Sequence, residues 1–251
     1  MLKEFEDLFL FGVQKNDFPR YIYKYRLINS LVNNYLWFSS FDDFNDPFDG
    51  RLKYPKQYSE NEINHFLQTI SSIHDEKKIK EKTEYLYNNQ DELSEIISSA
   101  IADQKKETKV CCFSQINDSI LMWSHYADGH KGVCLEFDVT KDPSVFCTLQ
   151  KVMYQPEYAI SNYLLDSKNT ILNMLKTKSQ DWHYEQEYRV IRPQETCNKI
   201  YYKPEALVSI IFGCNCSRQD ITKIMKIIGS RVKYKKCVLD NDYYKVNITD
   251  V

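Results

Sequence analysis

Glycine is scarce, six in 251 residues, and no group of glycines is spaced as a phosphate-cradling loop. A P-loop and a Rossmann fingerprint both need several glycines at fixed spacing, so both are excluded. An excess of charge of one sign is also missing. The chain carries 33 Lys and Arg against 35 Asp and Glu, a formal net charge of −2. That leaves no global basic field to gather nucleic acid. The apolar run Leu8-Phe9-Leu10-Phe11 is far too short to cross a bilayer. Glu4, Glu6 and Asp7 stand where a secretory leader would be basic, so a cytoplasmic protein without a membrane partner is expected.

The eight cysteines (Cys111, Cys112, Cys134, Cys147, Cys197, Cys214, Cys216 and Cys237) form no dense framework, and a chain of this length needs no staples. Cys214-Asn215-Cys216 has no second Cys or His pair at ligand spacing. Reduced thiols and no metal are the expectation.

What is present suits a globular fold: 43% of the residues are apolar, 27% charged and 14% aromatic. A single domain over 1–251 is expected. β-prone aromatic residues at 19–26 predict a first strand, a short helical piece covers 27–34, and 35–39 predicts a second strand. Residues 40–50, rich in Asp, Asn and Pro, predict an ordered loop. Ser59-x-x-Glu62 is a capping box before apolar residues at helical spacing, so 59–106 predicts a helical insertion or cap. Further strands are predicted at 110–113, 133–139, 150–154, 185–192, 199–202, 207–212, 231–238 and 243–246. Helices are predicted at 118–128, closed by Gly129, near 170–178, and after the Ser217-x-x-Asp220 cap, closed by Gly229. Strands and helices mix without regular βαβ alternation. The predicted class is α+β, with a mixed, mostly antiparallel sheet core.

Four segments concentrate polar and aromatic residues. In Tyr23-Lys24-Tyr25-Arg26, alternation puts Lys24 and Arg26 on one strand face, a pair suited to a diphosphate or carboxylate, or else a solvated face. The stretch Trp37-Phe38-Ser39-Ser40 through Phe44-Asn45-Asp46-Pro47-Phe48-Asp49 suits an Asx-type turn with Phe44 and Phe48 as anchors. In the segment from Trp123 to Gly132, His125 lies beside Trp123 and Tyr126 on a helix, with His130 on the turn after it. Two histidines five apart do not match metal spacing, so hydrogen-bonding or ligand-contacting roles fit better. In Trp182-His183-Tyr184-Glu185-Gln186-Glu187-Tyr188-Arg189, alternation puts Glu185, Glu187 and Arg189 on one face, with Arg189 the cation between two carboxylates.

Together with Cys112-Phe113-Ser114, these segments resemble a bacterial family known as domain of unknown function 2971. The resemblance runs from about residue 20 to 215, with the 59–106 helices as its variable part, and implies no activity. The order of features also resembles the ADP-ribosyltransferase superfamily: a cationic first strand, a serine-bearing strand, and a late strand carrying Glu-x-Glu.

That second resemblance implies an NAD-consuming transferase or glycohydrolase, such as a toxin or phage-defence effector. NAD would be the substrate and the nucleotide partner, with the acceptor left open. Arg26 with Lys24 would hold NAD, and Ser39 or Ser114 would frame it. Glu187, or failing that Glu185, would be the catalytic acid. Trp123, His125, Tyr126 and Arg189 complete the expected nucleotide site, and Asn45, Asp46 and His130 are further pocket candidates. Two other readings stay open. One is a metal-dependent phosphodiesterase using Asp46, Asp49, Glu185 and Glu187, with Lys24 and Arg26 on phosphate. The other is a non-catalytic ligand- or partner-binding module.

Overall fold

Alternation along the first strand, β1 (Tyr21–Arg26), sends Ile22, Lys24 and Arg26 to one face and Tyr21, Tyr23 and Tyr25 to the other. The computed structural model describes residues 18–31, 34–70 and 75–251, so the N-terminal acidic and apolar runs lie outside the described residues. A 3₁₀ turn (Ile28–Ser30) and β2 (Tyr35–Trp37) follow β1. Three helices come next, α1 (Glu60–Ile70), α2 (Glu76–Asn88) and α3 (Gln90–Glu107). Then come β3 (Lys109–Ser114), α4 (Ile120–Tyr126), β4 (Val133–Asp138), α5 (Pro143–Phe146), β5 (Leu149–Lys151) and β6 (Met153–Gln155). After α6 (Ser167–Lys176) lie β7 (Thr177–Ser179), β8 (Glu187–Arg192), β9 (Lys199–Tyr201) and β10 (Leu207–Phe212). The described chain closes with α7 (Arg218–Ile228), β11 (Lys233–Leu239) and β12 (Val246–Asp250).

Eight strands form one sheet in the order β12-β11-β10-β4-β1-β3-β8-β5. Every neighbouring pair is antiparallel except β10–β11. The class is α+β with a mixed, mostly antiparallel sheet, as the sequence pattern predicts. Ile22, Phe113, Leu135, Phe137, Val190, Ile210 and Phe212 build a core on one face, closed by Ile224 and Ile228 of α7. On the other face, α1–α3 and α6 cover Val110 of β3 and Ile191 of β8, with Leu67, Leu93, Ile97 and Met174 in that core. The helical segment therefore seals half the sheet. A third cluster on this second face holds Tyr25, Trp123, Cys134 and Ile211.

Local chemistry sets several boundaries. The Glu62 amide donates to Ser59 Oγ at 3.3 Å and the Ser59 amide to Glu62 Oε2 at 2.7 Å, a complete capping box at the start of α1. The lysine- and glutamate-rich stretch becomes α2, where the Asp75 side chain accepts from the Lys77 and Lys78 amides. Helix α4 ends earlier than predicted, because Asp128, Gly129 and His130 all take left-handed backbone. Its turn packs tightly against the end of β10: a Cβ on Gly213 would stand 2.0 Å from the His130 carbonyl oxygen. Gly213→Ala is expected to cost about 3 kcal/mol, the top of the overpacking range, read by urea denaturation. An unchanged midpoint would mean that the turn yields freely.

The last two predicted strands also shift. β11 begins at Lys233 and the final strand is β12, because Asp240 organises the turn between them, accepting from the Asp242 and Tyr243 amides at 3.0 Å.

Candidate active site

Strand register lines up one polar row across the second face of the sheet. Ser209 faces Glu136, Glu136 faces Tyr23, Tyr23 faces Ser114, and Ser114 faces Glu187. Tyr23 with Ser114 is the single pairing between β1 and β3; beyond it these strands diverge. The Lys24 ammonium enters the gap, donating to the Cys112 carbonyl at 2.7 Å and lying 5.3 Å from the Phe113 ring centre. A pocket of about 310 Å³ opens where the sheet splits. Tyr23, Lys24 and Tyr25 line one side, Cys112, Phe113 and Ser114 the other, and Asn45, Tyr126, Lys178, Glu185 and Glu187 complete it.

The predicted strand over 185–192 begins at Glu187. Residues 180–185 form a 3₁₀ turn, and Gln186 is left-handed at φ 43°. Alternation therefore does not place Glu185 with Glu187 and Arg189, which corrects the expectation. The Gln186 turn and Lys178 bring the two acids together instead. Lys178 Nζ donates to Glu185 Oε2 at 2.5 Å and to Glu187 Oε2 at 3.1 Å. The pattern over 170–178 reads as a helix, but the backbone leaves α6 at Lys176 and carries Lys178 on β7.

Arg189 is fully buried and uses all five N–H donors. Nε and Nη2 grip the two oxygens of Glu187 at 2.7 and 3.1 Å. Nη1 and Nη2 grip Asp49 at 2.9 and 2.5 Å, and Nη1 also donates to the Leu175 carbonyl at 2.8 Å. The guanidinium lies 5.5 Å from the ring centres of Phe41 and of Phe44. Asp49 and Glu187 thus meet at a guanidinium. Among the described residues no group of three or more His, Cys, Asp or Glu side chains is placed to hold a metal ion.

Glu185 is held differently. Its Oε1 accepts from the Tyr126 hydroxyl at 2.6 Å, and the Ser114 hydroxyl fixes its backbone carbonyl at 2.7 Å. The Tyr154 hydroxyl accepts from the Glu187 amide at 2.7 Å. The two acids are driven apart. Burial pushes the Glu185 carboxyl up; Lys178 draws it back only in part, and Glu187 opposes its ionisation. Burial also acts on Glu187, but Arg189 and Lys178 outweigh it and bring that carboxyl down to about 2. Burial works against the Lys178 charge, yet the two glutamates more than offset it and hold the ammonium above its usual range.

A pH dependence of stability follows. Glu187 titrates near 2 when folded and near 4.3 when unfolded, so its contribution is complete above about pH 5. As pH falls from 5 towards 2, that contribution is lost, about 3 kcal/mol in all. Glu185, shifted the other way, acts with the opposite sign. Urea melts between pH 6 and pH 3 should show the loss in the wild type and a flatter profile in Glu187→Gln.

The remaining candidates divide. Asn45, Lys24, Ser114 and Tyr126 line the pocket. Arg26 does not; its Nη1 reaches the Tyr35 carbonyl at 3.5 Å, so the expected Lys24–Arg26 grip does not form. Ser39 pairs with Val110, at the far end of β3 from Ser114. Trp123 is fully buried, edge-on to Tyr25, with its ring N–H on the Asn117 carbonyl at 2.8 Å. His125 Nδ1 pairs with the Tyr184 hydroxyl at 3.2 Å on the surface. His130 stacks on Trp123 and bonds Ser124 Oγ through Nε2 at 3.1 Å, and burial lowers its pKa. Asp46 makes the expected Asx turn, accepting from the Phe48 amide at 2.9 Å. Phe48 itself is exposed, so Phe44 alone anchors that loop, against Phe41. Sequence reasoning missed Lys178 and Tyr154 and did not pair Asp49 with Arg189. A signal for a further acceptor was present, since the five donors of Arg189 exceed what one carboxylate in a bidentate pair takes up.

Residues 122–190, which carry Tyr126, Lys178, Glu185, Glu187 and Arg189, match the family model described as Protein of unknown function (DUF2971). No curated protein and no solved structure matches the chain at a significant level. No helix among the described residues is long and apolar enough to cross a membrane.

Proposed function

We propose that the split-sheet pocket belongs to an NAD-consuming enzyme of the ADP-ribosyltransferase or NAD glycohydrolase type, with Glu185 as the reacting carboxylate. One observation carries this reading: two carboxylates share the Lys178 ammonium in one pocket, and their surroundings push their proton affinities in opposite directions. Such a division marks acid–base roles. Glu187, clamped by Arg189, supplies a fixed negative charge beside the cationic centre that develops as the glycosidic bond breaks. The electron pair of the ribose C1′–N bond leaves with nicotinamide. Water or an acceptor then forms the new bond to C1′ and gives its proton to Glu185. Tyr23 and Tyr126 line the pocket and would supply aromatic surface to the nicotinamide. The reading departs from the sequence expectation in choosing Glu185 ahead of Glu187, because both Glu187 oxygens are committed to cations.

The test is nicotinamide release from carbonyl-labelled NAD by the purified chain, with and without cell lysate as a source of acceptors. Release by the wild type supports the reading. No release under either condition, from folded protein, overturns it in favour of a binding module. Tyr126→Phe removes the hydroxyl that orients Glu185 and is expected to lower kcat about tenfold with KM little changed.

A further inference from the structure

Strands β2 and β9 pair only with each other, as an antiparallel ribbon outside the eight-stranded sheet. Tyr35 stands opposite Tyr201, Leu36 opposite Ile200 and Trp37 opposite Lys199. We infer that the outer face of this ribbon binds single-stranded nucleic acid, with Trp37 and Tyr201 stacking on bases and Lys199 on the phosphate backbone.

Alternation turns Leu36 and Ile200 inward, onto the core of the first sheet face, and Tyr35, Trp37, Lys199 and Tyr201 outward. Trp37 is 45% exposed and Tyr201 70%. Large rings gathered in water on one short ribbon mark a surface that meets a partner. Tyr35 braces them: its ring lies edge-on to Tyr201 with 6.0 Å between centres, and Lys199 Nζ lies 5.3 Å from its own centre. Trp37 and Tyr201 sit diagonally across the two strands, about 7–8 Å apart, close to the spacing of successive nucleotides in an extended strand. A ring face accepts any base, so such a pair recognises an unpaired strand whatever its sequence.

Charge selects the partner. The whole chain has a formal charge of −2, yet residues 18–41 and 196–204 contain no Asp or Glu and carry Arg26, Lys199 and Lys203 among their cations. Arg26 Nη1 reaches the Tyr35 carbonyl at 3.5 Å, which sets its guanidinium beside β2. Burial raises the phenol of Tyr202, and Arg26 and Arg231 partly offset this, so two guanidinium groups act on the residue next to Tyr201. Among the described residues none of Arg26, Lys199, Lys203 and Arg231 has a carboxylate within 4 Å. A sugar or an apolar peptide would use the rings and leave these cations idle, whereas a phosphodiester chain uses both. A duplex keeps its bases stacked inside and offers the rings nothing. The ribbon is also separate from the split-sheet pocket, because Ser39, two residues past β2, pairs with Val110 at the far end of β3 from Ser114. Binding here and nicotinamide release are therefore tested independently.

The test is fluorescence anisotropy of end-labelled oligo(dT) and oligo(U), about ten nucleotides long, titrated with the full chain at low salt. Wild type should bind at least one of them more tightly than a duplex of the same length, and the stronger of the two tells DNA from RNA. Trp37→Ala and Tyr201→Ala should each weaken binding about tenfold or more. Lys199→Gln should lower the slope of log K against log salt by about 0.7, the share of one phosphate on a single strand. All three side chains are exposed, so the folds should survive, and circular dichroism checks this. If Trp37→Ala does not fold, Tyr201→Ala and Lys199→Gln carry the comparison. Binding of neither oligonucleotide by the wild type overturns the inference, as does equal affinity for the duplex. Equal binding by wild type and the folded ring variants overturns it too, leaving a charged patch only.

Discussion

Arg189→Met is expected to lower the unfolding free energy by about 3–5 kcal/mol, the usual cost of breaking a buried ion network from one side. Methionine has the length to fill the space but none of the five donors that now reach Glu187, Asp49 and the Leu175 carbonyl. Asp49 would then stand buried at 3% exposure with its cation removed. For a chain of this size each kcal/mol moves the melting temperature by about 2–4 °C, so a fall on the order of 10 °C is expected. Arg189→Met combined with Asp49→Leu takes away both the charge and its partner and should recover part of the loss. Thermal and urea denaturation of the three proteins decides it. A single-variant loss below about 1 kcal/mol would show that the network is not closed to water.

Glu185→Gln is expected to reduce nicotinamide release at least a hundredfold while leaving the melting temperature within a few degrees. Glutamine can accept from Lys178 through its oxygen and donate through its amide nitrogen to the Tyr126 hydroxyl oxygen, so the local structure has a substitute for each hydrogen bond. It has no charge and cannot take a proton from the incoming nucleophile, and one such group supplies about 10²–10⁴ in rate. Glu187→Gln separates the two roles. It should lose stability together with rate, because Arg189 and Lys178 would keep their charges without the anion that holds them. A Glu185→Gln variant as active as the wild type would sink the assignment of Glu185 and return attention to Glu187.

The site also explains why the helical segment is there. Glu187 and Arg189 project from the same face of β8 as Ile191, the face that α1–α3 cover. Removing water from that face is what makes the Asp49–Arg189–Glu187–Lys178–Glu185 chain so strongly coupled. The segment bears little chemistry of its own, as its composition implies, yet it sets the dielectric in which the acids work.

Much of the fold was legible locally. The capping box at Ser59 and Glu62, the Asx turn at Asp46 and the two-residue alternation of β1 each depend on contacts within a few residues. Such signals survive in a linear reading because the interacting groups are near neighbours. Even Glu187 and Arg189 were legible as a pair, two residues apart on one strand.

Four decisions belonged to the tertiary structure alone. Asp49 reaches Arg189 across 140 positions of the chain, a contact that no local pattern encodes. Lys178 sits two residues past the end of α6, and a one-turn error in that boundary turns a junction residue into a surface lysine. Gln186 adopts left-handed backbone although nothing in its side chain favours it, because the bonds that Ser114, Tyr126 and Lys178 make to Glu185 hold it there. The parting of β1 from β3, which opens the pocket, is a choice of strand partner. Composition and periodicity determined which elements form and which face of each is apolar. Which charged groups meet, and which of them keep a free lone pair towards the pocket, was decided by long-range packing, where burial sets the strength of every electrostatic contact.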